Sequence, residues 1–230
     1  MEKMGKESEY FGSPSWTPRE RLVLKMQHLS NLAGEAFMRW RYRDRLHIGE
    51  GARIDPWTVK IAGPGVVEME PGVIIERGLY KVCFHLGPES KVKIGARTWI
   101  QTFDGHTTFS TKKGARIDIG EDCWFSGGLF GASKLITVGK RTLIGWGCMI
   151  LDSNMHRMDN DSPPVDPLPV EIGSNVWMPS YITVLKGVKI GDNCVIGTGS
   201  LVNRDIPANS FAAGRPAKVI KRISDRDQVE

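Results

Sequence analysis

Residues 170–202 read VEIGSNVWMPSYITVLKGVKIGDNCVIGTGSLV, and aliphatic side chains recur in them at every sixth place: Ile172, Met178, Val184, Ile190, Ile196 and Val202. Most are followed by glycine or another small residue. Neither the helical period of about 3.6 nor the strand period of about 2 produces that spacing. A triangular solenoid with three short flat strands per coil does, because each coil then seats one aliphatic side chain inside every corner.

Working outward, the phase recurs upstream, where Ile94 leads to Ile100, Ile119 to Phe125, and Val138 to Ile144 and Ile150. Four residues after many of these comes a compact residue: Thr98, Cys123, Thr142, Cys148, Val176, Ile182, Val188, Cys194 and Ser200. This marks a second inward position in the same register. With Ile48 and Ile54 as the earliest members, the coiled region is expected over residues 47–207, in roughly seven or eight coils. Between Ile61 and Lys93 the phase slips, and Gly63, Pro64, Gly65, Pro71, Gly72, Gly78, Gly87 and Pro88 predict irregular corners there.

A chain of 230 residues with one continuous repeat reads as one domain with appendages. No apolar run is long enough to cross a bilayer, and the charged start, MEKMGKESEY, lacks the apolar stretch of a secretory signal. The expected location is the cytoplasm, or the inner face of the membrane. Cys83, Cys123, Cys148 and Cys194 show no metal-ligand spacing, and the last three fall in the compact inward slot, as reduced packing residues. The formal charge of +5 suits an anionic ligand without naming one. No nucleic-acid reader motif accompanies it.

The ends leave the repeat. Residues 1–46 are expected to form a helical cap segment: from Ser15 to Arg45, Thr17 can cap a helix, Pro18 suits its first turn, and Leu22, Met26, Leu29, Ala33, Phe37 and Trp40 follow helical spacing. Its last turns interleave Arg39, Arg41, Arg43 and Arg45 with Trp40 and Tyr42. Such a segment either closes the open end of the solenoid, whose strand edges otherwise invite aggregation, or meets an anionic membrane surface peripherally. Residues 208–230 form a basic extension and tail.

The repeats, the run from Val170 to Ile223 and the upstream His156 resemble the hexapeptide-repeat acyltransferases, in particular the galactoside, maltose and surface-polysaccharide O-acetyltransferases. The resemblance covers residues 90–223 well and the earlier coils only through the repeat. It implies an all-β, left-handed parallel β-helix, a homotrimer, and acetyl-coenzyme A as the acyl donor. Handedness comes from the resemblance alone, since the period does not report it.

His156 follows Ile150 by six, so a polar ring stands where an aliphatic is due, and the phase breaks at once in RMDNDSPPVDPLP. A neutral imidazole can take the proton of an acceptor hydroxyl as it attacks the thioester, the role of the equivalent histidine in the resembling family. With the cysteines inward, direct transfer is expected over a covalent acyl-enzyme. Asp152 and Asn154 flank His156 and either orient its ring or grip sugar hydroxyls. Trp177, in NVWMP, matches the family's tryptophan and can pack against a sugar or the pantetheine arm. Pro179 replaces the usual glycine of that segment.

By the same resemblance Ser180, Gly197 and Thr198 line the pantetheine slot, and Lys218 and Lys221, assisted by Arg215, meet the nucleotide phosphates. Family members often carry arginine at the two lysine positions, so a bidentate grip becomes a point charge here. His28, His47, His85 and His106 offer no pair at the short spacing of the zinc enzymes that share this solenoid, and no metal is called for. The expected acceptor is a sugar of a surface polysaccharide or of its precursor. Two alternatives stand beside it: the xenobiotic acetyltransferases, whose HRMD-like tetrapeptide appears at His156, and a non-catalytic solenoid trimer.

Overall fold

The computed structural model describes residues 33–34, 36–156 and 166–225. Three parallel sheets run the length of the solenoid. The first holds seven strands, from Leu46–Ile48 to Lys189–Ile190. The third also holds seven, from Val59–Ala62 to Leu201–Val202. Nine lie in the second, from Arg53–Ile54 through Val195–Ile196 to the hairpin Ser210–Gly214 and Ala217–Arg222. Each coil visits the first, second and third sheets in turn, giving seven complete coils. Every neighbouring pair is parallel except the two strands of the terminal hairpin.

The interior is the six-residue phase made solid. Every aliphatic or phenylalanine residue of the phase from Ile54 onward is buried, and so is each compact residue of the second inward position. Burial of aliphatic and aromatic surface along one continuous axis is what holds the coils in register. In the second, third and fourth coils the third sheet contributes Phe84, Phe109 and Phe130, stacked at centroid separations of 5.2 and 5.0 Å. The phase slip upstream has a simple cause. Corners between the second and third sheets lengthen at Glu76–Lys81 and Gln101–His106, while the strands on either side stay in register. His106, although on the six-residue phase, therefore lies outside, and its Nδ1 accepts the Lys81 N–H at 3.0 Å.

Corners between the first and second sheets repeat one backbone shape. Arg97, Asp122, Arg141, Asn175, Asn193 and Asn209 all adopt positive φ, from 56 to 57°. Asparagine tolerates this region better than most residues. The last three also stack through their amides: Asn175 Nδ2 donates to Asn193 Oδ1 at 3.2 Å, and Asn193 Nδ2 to Asn209 Oδ1 at 2.7 Å.

The outer faces differ sharply. On the first sheet, one outward row carries His47, Glu68, Lys93, Asp118, Thr137, Glu171 and Lys189. This charged face suits water. The second sheet presents an apolar row instead, from Ile74 through Trp99, Trp124, Leu143, Trp177 and Val195 to Phe211.

At the amino-terminal end, residues 36–41 are helical and 42–45 form a turn, so the helix stops short of the predicted Arg45 because the chain must bend into the first strand at Leu46. The earlier part of that predicted helix, with His28, lies outside the described residues. Met38 is buried against the solenoid and Gly34 sits against Pro56 of the first coil, whereas Phe37 and Trp40 face outward. Among the described residues, no helix is long and apolar enough to cross a membrane.

Candidate functional site

The strand Met149–Leu151 ends at the corner between the third and first sheets, and there the coil is interrupted. Asp152 is fully buried. Its Oδ1 accepts the Ser133 N–H at 2.7 Å, and its Oδ2 accepts those of Lys134 and Leu135 at 2.7 and 2.8 Å. The same residue's carbonyl accepts the N–H of Leu168 at 2.9 Å, where the chain returns. Asp152 thus ties the outgoing and incoming ends of the loop to the corner of the preceding coil. Residues 157–165 of the loop lie outside the described residues.

Beyond Asp152 the chain makes a tight turn. Met155 has a φ of +66°, its N–H donates to Ser153 Oγ at 3.1 Å, and the His156 N–H donates to the Asn154 carbonyl at 2.7 Å. The side chains of Asn154 and His156 are exposed. The ring therefore does not occupy an aliphatic slot. The loop inserts ahead of that slot, and Val170 and Ile172 fill the core of the next coil. The sequence-level conflict at position 156 marks a departure of the backbone, not a polar group in the core.

The other predicted residues gather on the second sheet and at its corner with the third. Trp177 stands on the outer row, 43% exposed, directly beside Val195, then Phe211, then Lys221. One step toward the corner, Gly197 packs against Ala213, where an added Cβ would come within 2.8 Å of the Ala213 Cβ, and Ala213 pairs with Lys218. A register shift in the hairpin, at Phe211/Ala212, places Lys218 and Lys221 on one outer face despite their spacing of three. Ser180 and Thr198 lie on successive corners, with the Ser180 carbonyl accepting the Gly199 N–H at 3.0 Å. Arg215 is exposed at the hairpin tip. The result is a lane that begins at an indole, passes Gly197 and Ala213 and ends at two ammonium groups.

Sequence reasoning missed three residues on this side. Phe211 bridges Trp177 to Lys221 on the outer row. Trp146 and Tyr181 sit at successive corners, ring centroids 4.6 Å apart and both exposed. Their signal was available: large aromatics at corner positions where small residues are the rule.

His156 and this lane occupy different edges of the prism. The histidine lies at the corner of the third and first sheets, the lane at the corner of the second and third. One chain does not bring them together. Three of the cysteines, although Cys148 and Cys194 adjoin the lane, point into the core and are ill suited to nucleophilic chemistry. Burial pushes the Cys123 and Cys148 thiols up to about 11 and raises that of Cys194 as well, so they stay protonated near neutral pH. Ellman's reagent at pH 8 is accordingly expected to react with Cys83 alone in the native chain and with all 4 cysteines after unfolding. A rapidly titrating Cys148 would reopen acyl-enzyme chemistry. Among the described residues no three His, Cys, Asp or Glu side chains converge as metal ligands.

Residues 169–204 match the family of bacterial transferase hexapeptide repeats, described as six repeats. The galactoside O-acetyltransferase of Escherichia coli (strain K12) is 55% identical over 60 residues, which cover 26% of this chain and 30% of that protein. The chain thus spans less than a third of the curated relative that it matches. Among solved structures, the polySia specific acetyltransferase NeuO superposes with a TM-score of 0.56 at 25% identity, over 80% of this chain and 79% of that one. A mutant of AntD, an N-acyltransferase from Bacillus cereus in complex with dTDP and coenzyme A, superposes with a TM-score of 0.51 at 17% identity, over 79% and 86%. The fold is the left-handed parallel β-helix, the coil sense that parallel crossovers otherwise avoid.

Proposed function

We propose that this hexapeptide-repeat chain is an acetyl-coenzyme A-dependent O-acetyltransferase acting on a sugar hydroxyl of a surface polysaccharide or its precursor. The observation that carries the reading is the lane on the second sheet. Trp177 and Phe211 offer an apolar wall to a pantetheine arm, Gly197 lets the hairpin strand carrying Ala213 pack closely against the last coil, and Lys218 and Lys221 share the face on which nucleotide phosphates would lie. Acetyl transfer in the named relatives supports the reaction class.

In this reading an imidazole nitrogen of His156 takes the proton of the acceptor hydroxyl as its oxygen attacks the thioester carbonyl. The C–S bond then breaks, and the imidazolium returns the proton to the departing thiolate. Acetyl moves from sulfur to oxygen in one site, with no covalent enzyme adduct. Because His156 and the lane lie on different edges, the working site takes its histidine from one copy and its donor lane from the next. A trimer provides that arrangement, and the upstream apolar row of Ile74, Trp99, Trp124 and Leu143 offers a second copy something to cover.

The test couples thiol release to donor binding. With acetyl-coenzyme A and a panel of sugars, the double variant Lys218→Ala/Lys221→Ala is expected to raise KM for the donor by about tenfold or more, with kcat little changed, because ground-state and transition-state binding of the phosphates are lost equally. An unchanged donor KM overturns the lane assignment. A monomer in light scattering overturns the shared site.

A further inference from the structure

Three coils before His156, the same edge of the prism carries a recess that the proposed reaction does not use. His85, Ser110 and Lys112 line it, with Ala62 and Gly63 at its near side. His85 and Lys112 are exposed, and none of the three polar side chains has a hydrogen-bond or ion-pair partner among the described residues. Gly63 is required to be small, since a Cβ there would lie 2.0 Å from the Leu86 carbonyl oxygen. An imidazole, a hydroxyl and an ammonium around one opening form a set of donors suited to an anion.

The recess is connected to the catalytic turn by strand register. Ala62, His85, Ser110, Gly131 and Leu151 are successive neighbours on one outward row of the third sheet, and Leu151 directly precedes Asp152. Three strand spacings separate His85 from Leu151, or about 14 Å. Lys134, exposed and likewise unpaired among the described residues, stands on the intervening corner. Two acidic groups described along this stretch are engaged: Glu89 pairs with Lys113 at 3.6 Å, and the Asp152 carboxylate is buried on three backbone N–H groups. Positive charge is left over between the recess and the turn. A single small sugar at His156 would not span this distance.

We propose that the recess of His85, Ser110 and Lys112, extended by Lys134, is an acceptor subsite that holds the carboxylate or phosphate of an extended anionic glycan while another unit of the same chain meets His156. The proposal rests on the acetyl-transfer reading only for its choice of acceptor. The row between them, Gly131 beneath Leu151, offers an apolar strip over which the C–H face of a sugar can lie.

Calorimetric titration of the full-length protein without acetyl-coenzyme A tests it. The probes are oligosialate, its methyl ester, and a glycerol-phosphate-bridged oligosaccharide. The protein is expected to bind one of the anionic oligomers at least tenfold more tightly than the uncharged ester, and the tighter of the two identifies carboxylate or phosphate as the ligand group. Lys112→Ala and His85→Ala each reduce that affinity by about fivefold to tenfold, Lys112→Arg restores it, and Lys140→Ala, exposed on the edge between the first and second sheets, leaves it unchanged. Equal binding of ester and anion, no binding of any probe, or an affinity indifferent to Lys112→Ala overturns the subsite. These titrations need no turnover, so a failure of acetyl transfer and a failure of the subsite are read separately.

Discussion

Replacing His156 with alanine is expected to lower acceptor-dependent release of coenzyme A by about 10²- to 10⁴-fold, the usual range for loss of a general base, while leaving donor binding and thermal stability as they were. The ring is exposed on a turn whose bonds are made by the backbone and by Ser153, so its removal empties no part of the core. Donor binding survives because the lane of Trp177, Phe211, Lys218 and Lys221 lies on another edge. The measurement pairs thiol release with titration of acetyl-coenzyme A and a melting curve. Undiminished turnover sinks the assignment of the base. A loss of donor affinity in the same variant would instead mean that the two edges are not independent.

Asp152→Ala should show the opposite pattern. Three part-buried backbone N–H groups lose the buried carboxylate that accepts from them, and the loop, still closed by the Leu168 N–H to the residue 152 carbonyl, loses its tie to the preceding coil. Leaving buried donors unsatisfied costs about 1–3 kcal/mol each, and partial relaxation brings the expected total to about 3–5 kcal/mol, within the range for breaking a buried charged network. For a chain of this size that corresponds to a fall in Tm of roughly 10 °C. Turnover falls as well, because His156 is four residues beyond the tie. Asp152 is therefore a positioning residue in this account. If the melting curve stays put and only the KM for the sugar rises, Asp152 grips the acceptor directly and the account is wrong.

The two lysines of the hairpin show how candidate residues can be picked from the sequence while their geometry cannot. Read as a regular strand, Lys218 and Lys221 face opposite ways, since side chains alternate along a strand. The extra residue at the register shift rotates the strand by one place, and both ammonium groups reach the Trp177 face. Trp177 itself was legible, because it falls outside both inward positions and so had to point outward. Phe211 was not, since nothing in the run PANSFAAG at residues 207–214 reveals which strand it joins. The lengthened corners at Glu76–Lys81 and Gln101–His106 were visible only as a loss of phase.

What the sequence determined by itself is the cross-section. A period of six admits one inward aliphatic per corner, and burial of those residues leaves a triangular solenoid as the arrangement in which all of them leave water together. What only the tertiary structure decided is which coils and edges the candidate residues occupy. Asp152 reaches back across 17–19 residues to backbone groups of the preceding coil, and Lys221 joins Trp177 through two intervening strands. Side chains on one edge come from different coils, and the loops between them set how far apart they fall along the chain. The six-residue period fixes the direction in which each coil residue points, but the stacking of coils fixes its neighbours.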